Sequence, residues 1–236
     1  MDKQAPILRV RAQASRHGIE CLLVGGIGLV FIMLINLLRP GEISIIEIFL
    51  ATSCIAAIFI GFLKTQEPYY SFTFSGKLLI FHHKAGNWQL NRDNFYQSGI
   101  PKVHLDLEYL ELNAVGIKLN NIDEFLTQLP PRIAGRLLIE QRHLFMQVIK
   151  NHCKNGDCPS EWLIEDTEYT APSGQLYKGL IAMFANRTQH LRQLTGYDLL
   201  LPANVLDTDI WQFSADLNHW KLNPNKFINT RLNNKQ

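Results

Sequence analysis

Two long apolar runs constrain this chain more than any other feature of its sequence. Residues 21–38 contain 14 hydrophobic residues of 18 and no charge, and residues 43–63 contain 16 of 21, with Glu47 as the one charged residue. As helices the two runs would be about 27 Å and about 31 Å long, close to the roughly 30 Å hydrocarbon core of a bilayer. Only residues 39–42 separate them. The sequence therefore predicts a transmembrane helical hairpin over residues 21–63.

Residues inside the two runs indicate how the helices pack. Gly25 and Gly28 in the first run, and Ala57 and Gly61 in the second, are small enough to let two helix backbones approach closely. Glu47 lies four residues from the start of its run, so we expect its carboxylate to reach the headgroup layer.

The distribution of positive charge predicts the orientation of the hairpin. Residues 1–20 carry four Lys or Arg side chains and Lys64 follows the second run, whereas the turn contains only Arg39. The positive-inside bias then places both termini in the cytoplasm, with residues 1–20 as a cytosolic segment. A cleaved signal peptide and a buried hairpin of a soluble protein are the alternatives. The first run is longer than the 7 to 15 apolar residues usual in a signal peptide.

The rest of the composition is that of an ordinary water-soluble domain. The whole chain has 23 basic and 21 acidic side chains, a net charge of +2. This balance argues against a strongly basic nucleic-acid binder, and we expect no nucleic-acid partner. Two of the four cysteines lie in the apolar runs, which argues against a secreted disulfide scaffold.

After residue 64 the pattern changes to short segments typical of antiparallel strands. We expect strands at residues 70–74, 78–81, 88–90, 103–107, 109–112 and 115–119, the last two joined as a hairpin through Asn113 and Ala114. Asn121 is a suitable N-cap for a helix over residues 122–128. Apolar residues then recur at the helical period over residues 132–150, which predicts one amphipathic helix.

The last third of the chain is predicted to be helical. Ser173 is a candidate N-cap for a helix whose apolar stripe includes Tyr177, Phe184 and Leu191 and which ends at Gly196. A further helix is expected over residues 207–218. We expect residues 221–236, rich in Asn and Lys, to form a flexible tail.

Four sequence segments carry a resemblance to known proteins. They are Phe-Ser-Gly-Lys-Leu-Leu-Ile-Phe-His-His at 74–83, Val-Gly-Ile-Lys-Leu-Asn-Asn at 115–121, Trp-Leu-Ile-Glu-Asp at 162–166 and Gly-Tyr-Asp-Leu at 196–199. With the hairpin, they resemble an uncharacterised family of two-span inner-membrane proteins of Gram-negative bacteria with a cytosolic pleckstrin-homology-like domain.

The resemblance implies an α+β fold and a compartment, but no catalytic residue. The hairpin would be followed by a pleckstrin-homology-like antiparallel sheet with a capping helix over residues 64–150, and by a helical C-terminal region over residues 151–220. Bacterial domains of this type commonly act as interaction modules rather than enzymes.

One short segment contains three possible metal ligands or redox groups, His152, Cys153 and Cys158. Tetrahedral zinc needs about four ligands, so His143 and a carboxylate would have to complete a metal site here. The alternatives are a redox-switchable disulfide or reduced loop thiols with no role, and a cytosolic location favours reduction. His82 and His83 are adjacent on a predicted strand, so they face opposite sides of the sheet and cannot chelate one ion together.

Arginines on two predicted helices form the candidate anion-binding patch. Arg132, Arg136, Arg187 and Arg192 could read phospholipid headgroups or a phosphorylated partner. A solvated helix face is the alternative, because residues 64–152 carry 10 basic against 8 acidic side chains and thus a small net charge.

Two functional hypotheses follow from the sequence. The first is a non-enzymatic interaction or scaffolding module at the cytosolic face of the inner membrane, with the lipid bilayer and another membrane protein as partners. The second is a metal- or redox-responsive regulator, or an unrecognised enzyme, built on His152, Cys153 and Cys158. We find no Walker loop, dinucleotide fingerprint or nucleophile elbow, and so predict no cofactor. The sequence leaves the oligomeric state open.

Overall fold

A computed structural model describes residues 6–11, 17–38, 41, 44–105, 108–153 and 166–233. The chain divides into two compact units, Ala12–Tyr69 and a second that joins Met1–Arg11 to Tyr70–Gln236. The N-terminal segment therefore belongs with the larger unit, here termed the body.

The smaller unit consists of two antiparallel helices, α1 (Gly18–Leu38) and α2 (Ile45–Thr65). By length and composition both are able to cross a bilayer. A capping box begins α2: the Ser44 side chain accepts the Glu47 backbone N–H, and Glu47 Oε2 accepts the Ser44 N–H at 2.9 Å. Glu47 thus has a structural role at the helix start.

Glycines allow α1 and α2 to approach backbone to backbone. A Cβ added at Gly25 would lie 2.7 Å from the carbonyl oxygen of Cys54, and one at Gly61 would lie 2.8 Å from the backbone nitrogen of Leu22. A Cβ at Gly26, in the same helix as Gly25, would meet nothing within 4 Å. The predicted close packing therefore depends on particular glycines and not on glycine content.

The body is a mixed α and β structure in which every strand pair is antiparallel. The first sheet has the order β1 (Leu8–Val10), β2 (Phe72–Phe74), β3 (Leu78–His83), β4 (Gly86–Asn91). The second has the order β11 (Leu199–Pro202), β8 (Ala114–Leu119), β5 (Phe95–Gly99). Two separate hairpins are β6 (Lys102–Leu105) with β7 (Glu108–Glu111), and β9 (Glu168–Thr170) with β10 (Leu176–Lys178).

Six α-helices and a short 3-10 helix, Ala203–Val205, lie in the described part of the body. The α-helices are α3 (Ile122–Gln128), α4 (Pro131–Glu140), α5 (Arg142–His152), α6 (Leu180–Thr195), α7 (Ile210–Leu222) and α8 (Pro224–Asn233). The Asn121 side chain caps α3 by accepting the Asp123 N–H, as the sequence predicted.

Strand β1 was not expected from the sequence. Leu8 pairs with Phe74 and Val10 with Phe72, and both aliphatic side chains are buried. Residues 8–10 are therefore part of the first sheet and not of a separate N-terminal segment. The helical hairpin is an insertion between two neighbouring strands.

An aromatic cluster joins the C-terminal helices to the first sheet. The Phe74 ring lies 5.8 Å from Trp220 of α7 and 5.4 Å from Phe227 of α8, between centroids. Trp220 Nε1 donates to the Ser75 carbonyl at 2.7 Å. The prediction of a flexible tail from residue 221 is wrong over α8, because Phe227 and Ile228 are buried in this core.

The helix expected over residues 132–150 is two helices. The chain breaks at Gln141, which is buried, and its side-chain Nε2 donates to the Leu200 carbonyl at 2.7 Å. The junction between α4 and α5 is thus tied to the core by a long-range hydrogen bond, while the Gln141 N–H still donates to the Leu137 carbonyl at 3.0 Å.

Two further predictions are corrected by tertiary pairing. Residues 109–112 do not pair with residues 115–119, because β7 pairs with β6 while β8 lies between β5 and β11. Ser173 does not cap a helix: Tyr177 lies in β10, and α6 begins only after Gly179, whose φ of +63° suits a glycine.

Gly25→Val should weaken the packing of α1 on α2, whereas Gly26→Val should not. The new side chain at position 25 would overlap the α2 backbone, at a cost of roughly 1–3 kcal/mol. SDS titration of the detergent-solubilised chain, followed by circular dichroism, measures the loss. Equal losses in both variants would show that valine acts through helix propensity rather than interhelical contact.

Replacing residues 12–69 with a short Gly-containing turn should leave a folded body, because β1 and β2 are then joined as an ordinary hairpin. Deleting residues 1–69 instead removes the buried Leu8 and Val10. At about 1.5–3 kcal/mol for each side chain, the truncated body should melt roughly 10 °C lower. Thermal unfolding followed by tryptophan fluorescence compares the two, and identical melting temperatures would contradict a stabilising role for β1.

Candidate functional site

Helices α4, α5 and α6 border a groove of about 890 Å³ that contains four arginines. These are Arg132, Arg136, Arg142 and Arg187. Apolar side chains line the same groove, and three of them are well exposed: Ile139 at 68%, Leu180 at 43% and Met146 at 41%. We term this surface the arginine groove.

The amphipathic pattern of α4 places its arginines in the groove. Ile133 and Leu137 are buried on the core side of the helix, while Arg132 and Arg136 lie one turn apart on the exposed side. Pro131 at the first helical position suits the start of this helix because it needs no backbone N–H there.

Arg142, the first residue of α5, also lines the groove. It follows Ile139 by three residues and precedes Met146 by four, the spacing that places side chains on one face of a helical stretch. Both of these neighbours line the groove as well. Arg142 was not among the arginines predicted from the sequence, although this spacing places it beside them.

Arg187 of α6 is held in the floor of the groove. It is 5% exposed, its guanidinium donates to the Leu138 carbonyl, and Cζ lies 5.1 Å from the centroid of the Phe145 ring. The carbonyl dipole and the aromatic ring face stabilise the positive charge of the buried guanidinium.

Gly135 lets α6 lie close to α4 at this point. A Cβ added there would lie 3.2 Å from Leu180 Cδ1, which is closer than ordinary van der Waals contact. A larger residue at this position would push Leu180 outward and change the shape of the groove.

Charge is concentrated on these three helices. They carry six Lys or Arg residues, namely Arg132, Arg136, Arg142, Lys150, Arg187 and Arg192, against Glu140 alone. Glu140 pairs with His83 at 3.2 Å, and none of the described residues lining the groove is acidic. The near-neutral balance of the whole chain therefore concealed a local positive surface.

Arg192, the fourth arginine of the predicted patch, does not line the groove. Its Nε lies 3.0 Å from Asp198 Oδ1, and its Nη2 donates to the Leu119 carbonyl at 2.6 Å. Its role is to neutralise a carboxylate that is 2% exposed.

Asp198 is the most buried carboxylate among the described ion pairs. It accepts the Leu119 N–H at 2.7 Å while its own N–H donates to the Ile117 carbonyl at 2.8 Å. Burial raises the pKa of Asp198 above its usual range, and the Leu119 N–H and the charges of Arg192 and Lys118 oppose that rise.

The neighbouring Tyr197 lies against the glycines of the second sheet. A Cβ at Gly116 would lie 2.4 Å from Tyr197 Cγ, and one at Gly99 would lie 2.1 Å from its hydroxyl oxygen. Gly99 and Gly116 are register partners on β5 and β8. The segments 115–121 and 196–199 therefore meet in a structural junction.

The predicted thiol cluster is only partly described. Cys153 is half-buried and disulfide-bonded, so in this form it offers no thiolate to a metal. Cys158 and the side chain of His152 lie outside the described residues. Within the described part of the chain, no three His, Cys, Asp or Glu side chains are placed to hold a metal ion.

His82 and His83 face opposite sides of β3, as predicted. His82 Nε2 lies 2.8 Å from Thr73 Oγ1, whereas His83 contacts Glu140. They do not form a joint ligand pair.

Comparison with known families matches residues 72–223 to proteins of unknown function termed DUF2982. The chain belongs to the DUF2982 family. The DUF2982 region begins at β2 and extends to the end of α7, so it includes the arginine groove and the Tyr197–Asp198 junction. No curated protein and no solved structure matches the chain. Membership of DUF2982 assigns no role to any residue.

The stability advantage of Asp over Asn at position 198 should be largest in acid and shrink as pH rises. The folded pKa of Asp198 lies above its unfolded value. Between those two values the folded state therefore holds more protons, and stability falls with increasing pH. Melting temperatures of the wild type and Asp198→Asn, measured from pH 4 to pH 8, test this.

Asp93→Asn is the matched control, because the Asp93 side chain is 94% exposed. It should follow the wild type throughout. An Asp198 advantage that grows with pH would show that Arg192 and Leu119 outweigh the cost of burial.

Proposed function

We propose that this DUF2982 protein is a non-enzymatic binding module anchored in the bacterial inner membrane, with its body in the cytoplasm and the arginine groove as its binding surface. The observation that carries the proposal is the groove itself: four arginines beside exposed apolar side chains, in a chain that also has two helices of spanning length. The expected partner is an anionic group presented at or near the membrane.

The chemistry of the groove favours binding over catalysis. A guanidinium stays protonated at any physiological pH, so it cannot act as a general acid or base, but it recognises phosphate and carboxylate well. The described lining residues include no His, Asp, Glu, Ser or Cys. Among its described residues, the groove therefore offers charge and apolar contact without a proton-transfer group or nucleophile.

The pairing of β1 with β2 supports a hairpin with both ends on one side of the membrane. Residues 8–10 precede α1, residues 72–74 follow α2, and the two strands are hydrogen-bonded neighbours. Strands in different compartments cannot pair, so the chain must leave and return on the same side. The excess of Lys and Arg outside the turn favours the cytoplasm as that side.

A pleckstrin-homology-like arrangement is part of the proposal. A four-stranded and a three-stranded antiparallel sheet with helices packed on them support it. The additional helices α6, α7 and α8 belong to the same compact unit as these sheets. The arginine groove is formed by helices α4, α5 and α6, so the proposed binding role does not depend on whether the sheets are pleckstrin-homology-like.

Reporter fusions test the proposed topology. An alkaline phosphatase domain, which is active only outside the cytoplasm, should be inactive at the C-terminus and active when inserted after Gly41, between α1 and α2. Membranes washed with alkaline carbonate should retain the chain. Activity at the C-terminus would reverse the orientation, and release by carbonate would contradict the anchor.

A further inference from the structure

We infer that the arginine groove binds an anionic phospholipid of the same leaflet that receives the hairpin, with the lipid phosphate on Arg132, Arg136 and Arg142 and the start of its acyl chains on Ile139, Met146 and Leu180. The inference rests on the proposed function, because it names the ligand of that same groove.

Three arginines are available to a phosphate. Arg132, Arg136 and Arg142 are exposed and form no ion pair with any described residue. Each guanidinium presents paired N–H groups that match two phosphate oxygens. Arg187 is already engaged by Leu138 and Phe145, so the phosphate contacts are assigned to the other three arginines.

The apolar residues distinguish a lipid from a free anion. Ile139, Met146 and Leu180 expose between 41% and 68% of their surface beside the arginines. A soluble phosphate would leave them in water, whereas the glycerol and upper acyl region of a phospholipid would cover them. Cationic and apolar side chains on one face are the combination by which surface helices bind anionic membranes.

The covalent connection favours the bilayer as the source of the ligand. Six residues, 66–71, link α2 to β2, and an extended chain of that length spans about 20 Å. The link therefore keeps the body near the surface of any bilayer that holds the hairpin, where lipid headgroups are locally concentrated. A soluble acidic protein would gain no such advantage, which is why the inference commits to lipid.

The methionines of the chain provide the measurement. It has four, at positions 1, 33, 146 and 183; Met146 and Met183 line the groove and Met33 lies in α1. The full chain with ¹³C-methyl methionine is placed in nanodiscs of phosphatidylcholine, or of an equal mixture with phosphatidylglycerol. The mixture should shift the methyl signals of Met146 and Met183 relative to those of Met1 and Met33.

Charge-matched variants locate the effect. Arg132→Gln with Arg136→Gln should abolish the phosphatidylglycerol shift. Lys77→Gln with Lys226→Gln removes the same charge from exposed positions outside the groove and should retain it. An equal shift in both double variants would overturn the inference, as would the absence of any shift in the wild type.

Inorganic phosphate distinguishes the source of the anion. Added to phosphatidylcholine nanodiscs, it should leave Met146 and Met183 unchanged. If phosphate alone reproduces the shift, the groove is a site for a soluble anion and the lipid inference is wrong. If carbonate-washed membranes retain the chain but phosphatidylglycerol causes no methyl shift, only the lipid inference is wrong. If carbonate releases the chain, the proposed membrane anchor is wrong.

Discussion

The pairing of β1 with β2 is the constraint on which the rest of this architecture depends. Antiparallel strands exchange backbone hydrogen bonds at about 5 Å, so residues 8–10 and 72–74 must lie side by side although 61 residues separate them in sequence. The intervening chain includes two helices of spanning length. The pairing is compatible only with an even number of membrane crossings between the strands. It also makes the segment before the hairpin a part of the body, because the buried Leu8 and Val10 complete the first sheet.

A second constraint, the buried amide of Gln141, shapes the arginine groove. By donating to Leu200 of β11, it ties the junction between α4 and α5 to the second sheet. The Arg187 guanidinium then ties α6 to the end of α4 through the Leu138 carbonyl. These two long-range bonds bring cations from three helices to one surface. A buried polar group must find a partner, so such bonds fix geometry more firmly than their modest net energy suggests.

Two of the four segments that carry the family resemblance, 115–121 and 196–199, acquire a structural explanation. Tyr197 requires Gly99 and Gly116 because its ring occupies the space of their side chains, and Asp198 completes the hydrogen bonding of β8 while Arg192 neutralises it. This junction uses an arginine that the sequence pattern had grouped with the anion-binding patch. The sequence identified all four arginines as candidate anion-binding residues. Their spacing along a helix, however, does not show whether a guanidinium faces a carboxylate, as Arg192 does, or solvent.

The sequence by itself determined the features that depend on local pattern. The apolar runs predicted α1 and α2, short apolar or alternating segments between turn residues predicted β2, β3, β4 and β8, and Asn121 predicted the start of α3. Tertiary structure alone decided the features that depend on distant partners. These are the recruitment of residues 8–10 as a strand, the break at Gln141, the strands at residues 95–99 and 199–202, and the ordering of α8 by Phe227 and Ile228. The physical reason is that burial and hydrogen bonding join residues far apart in sequence. A three-residue strand or a short polar helix is too weak to form, and so too weak to predict, until those partners are in place.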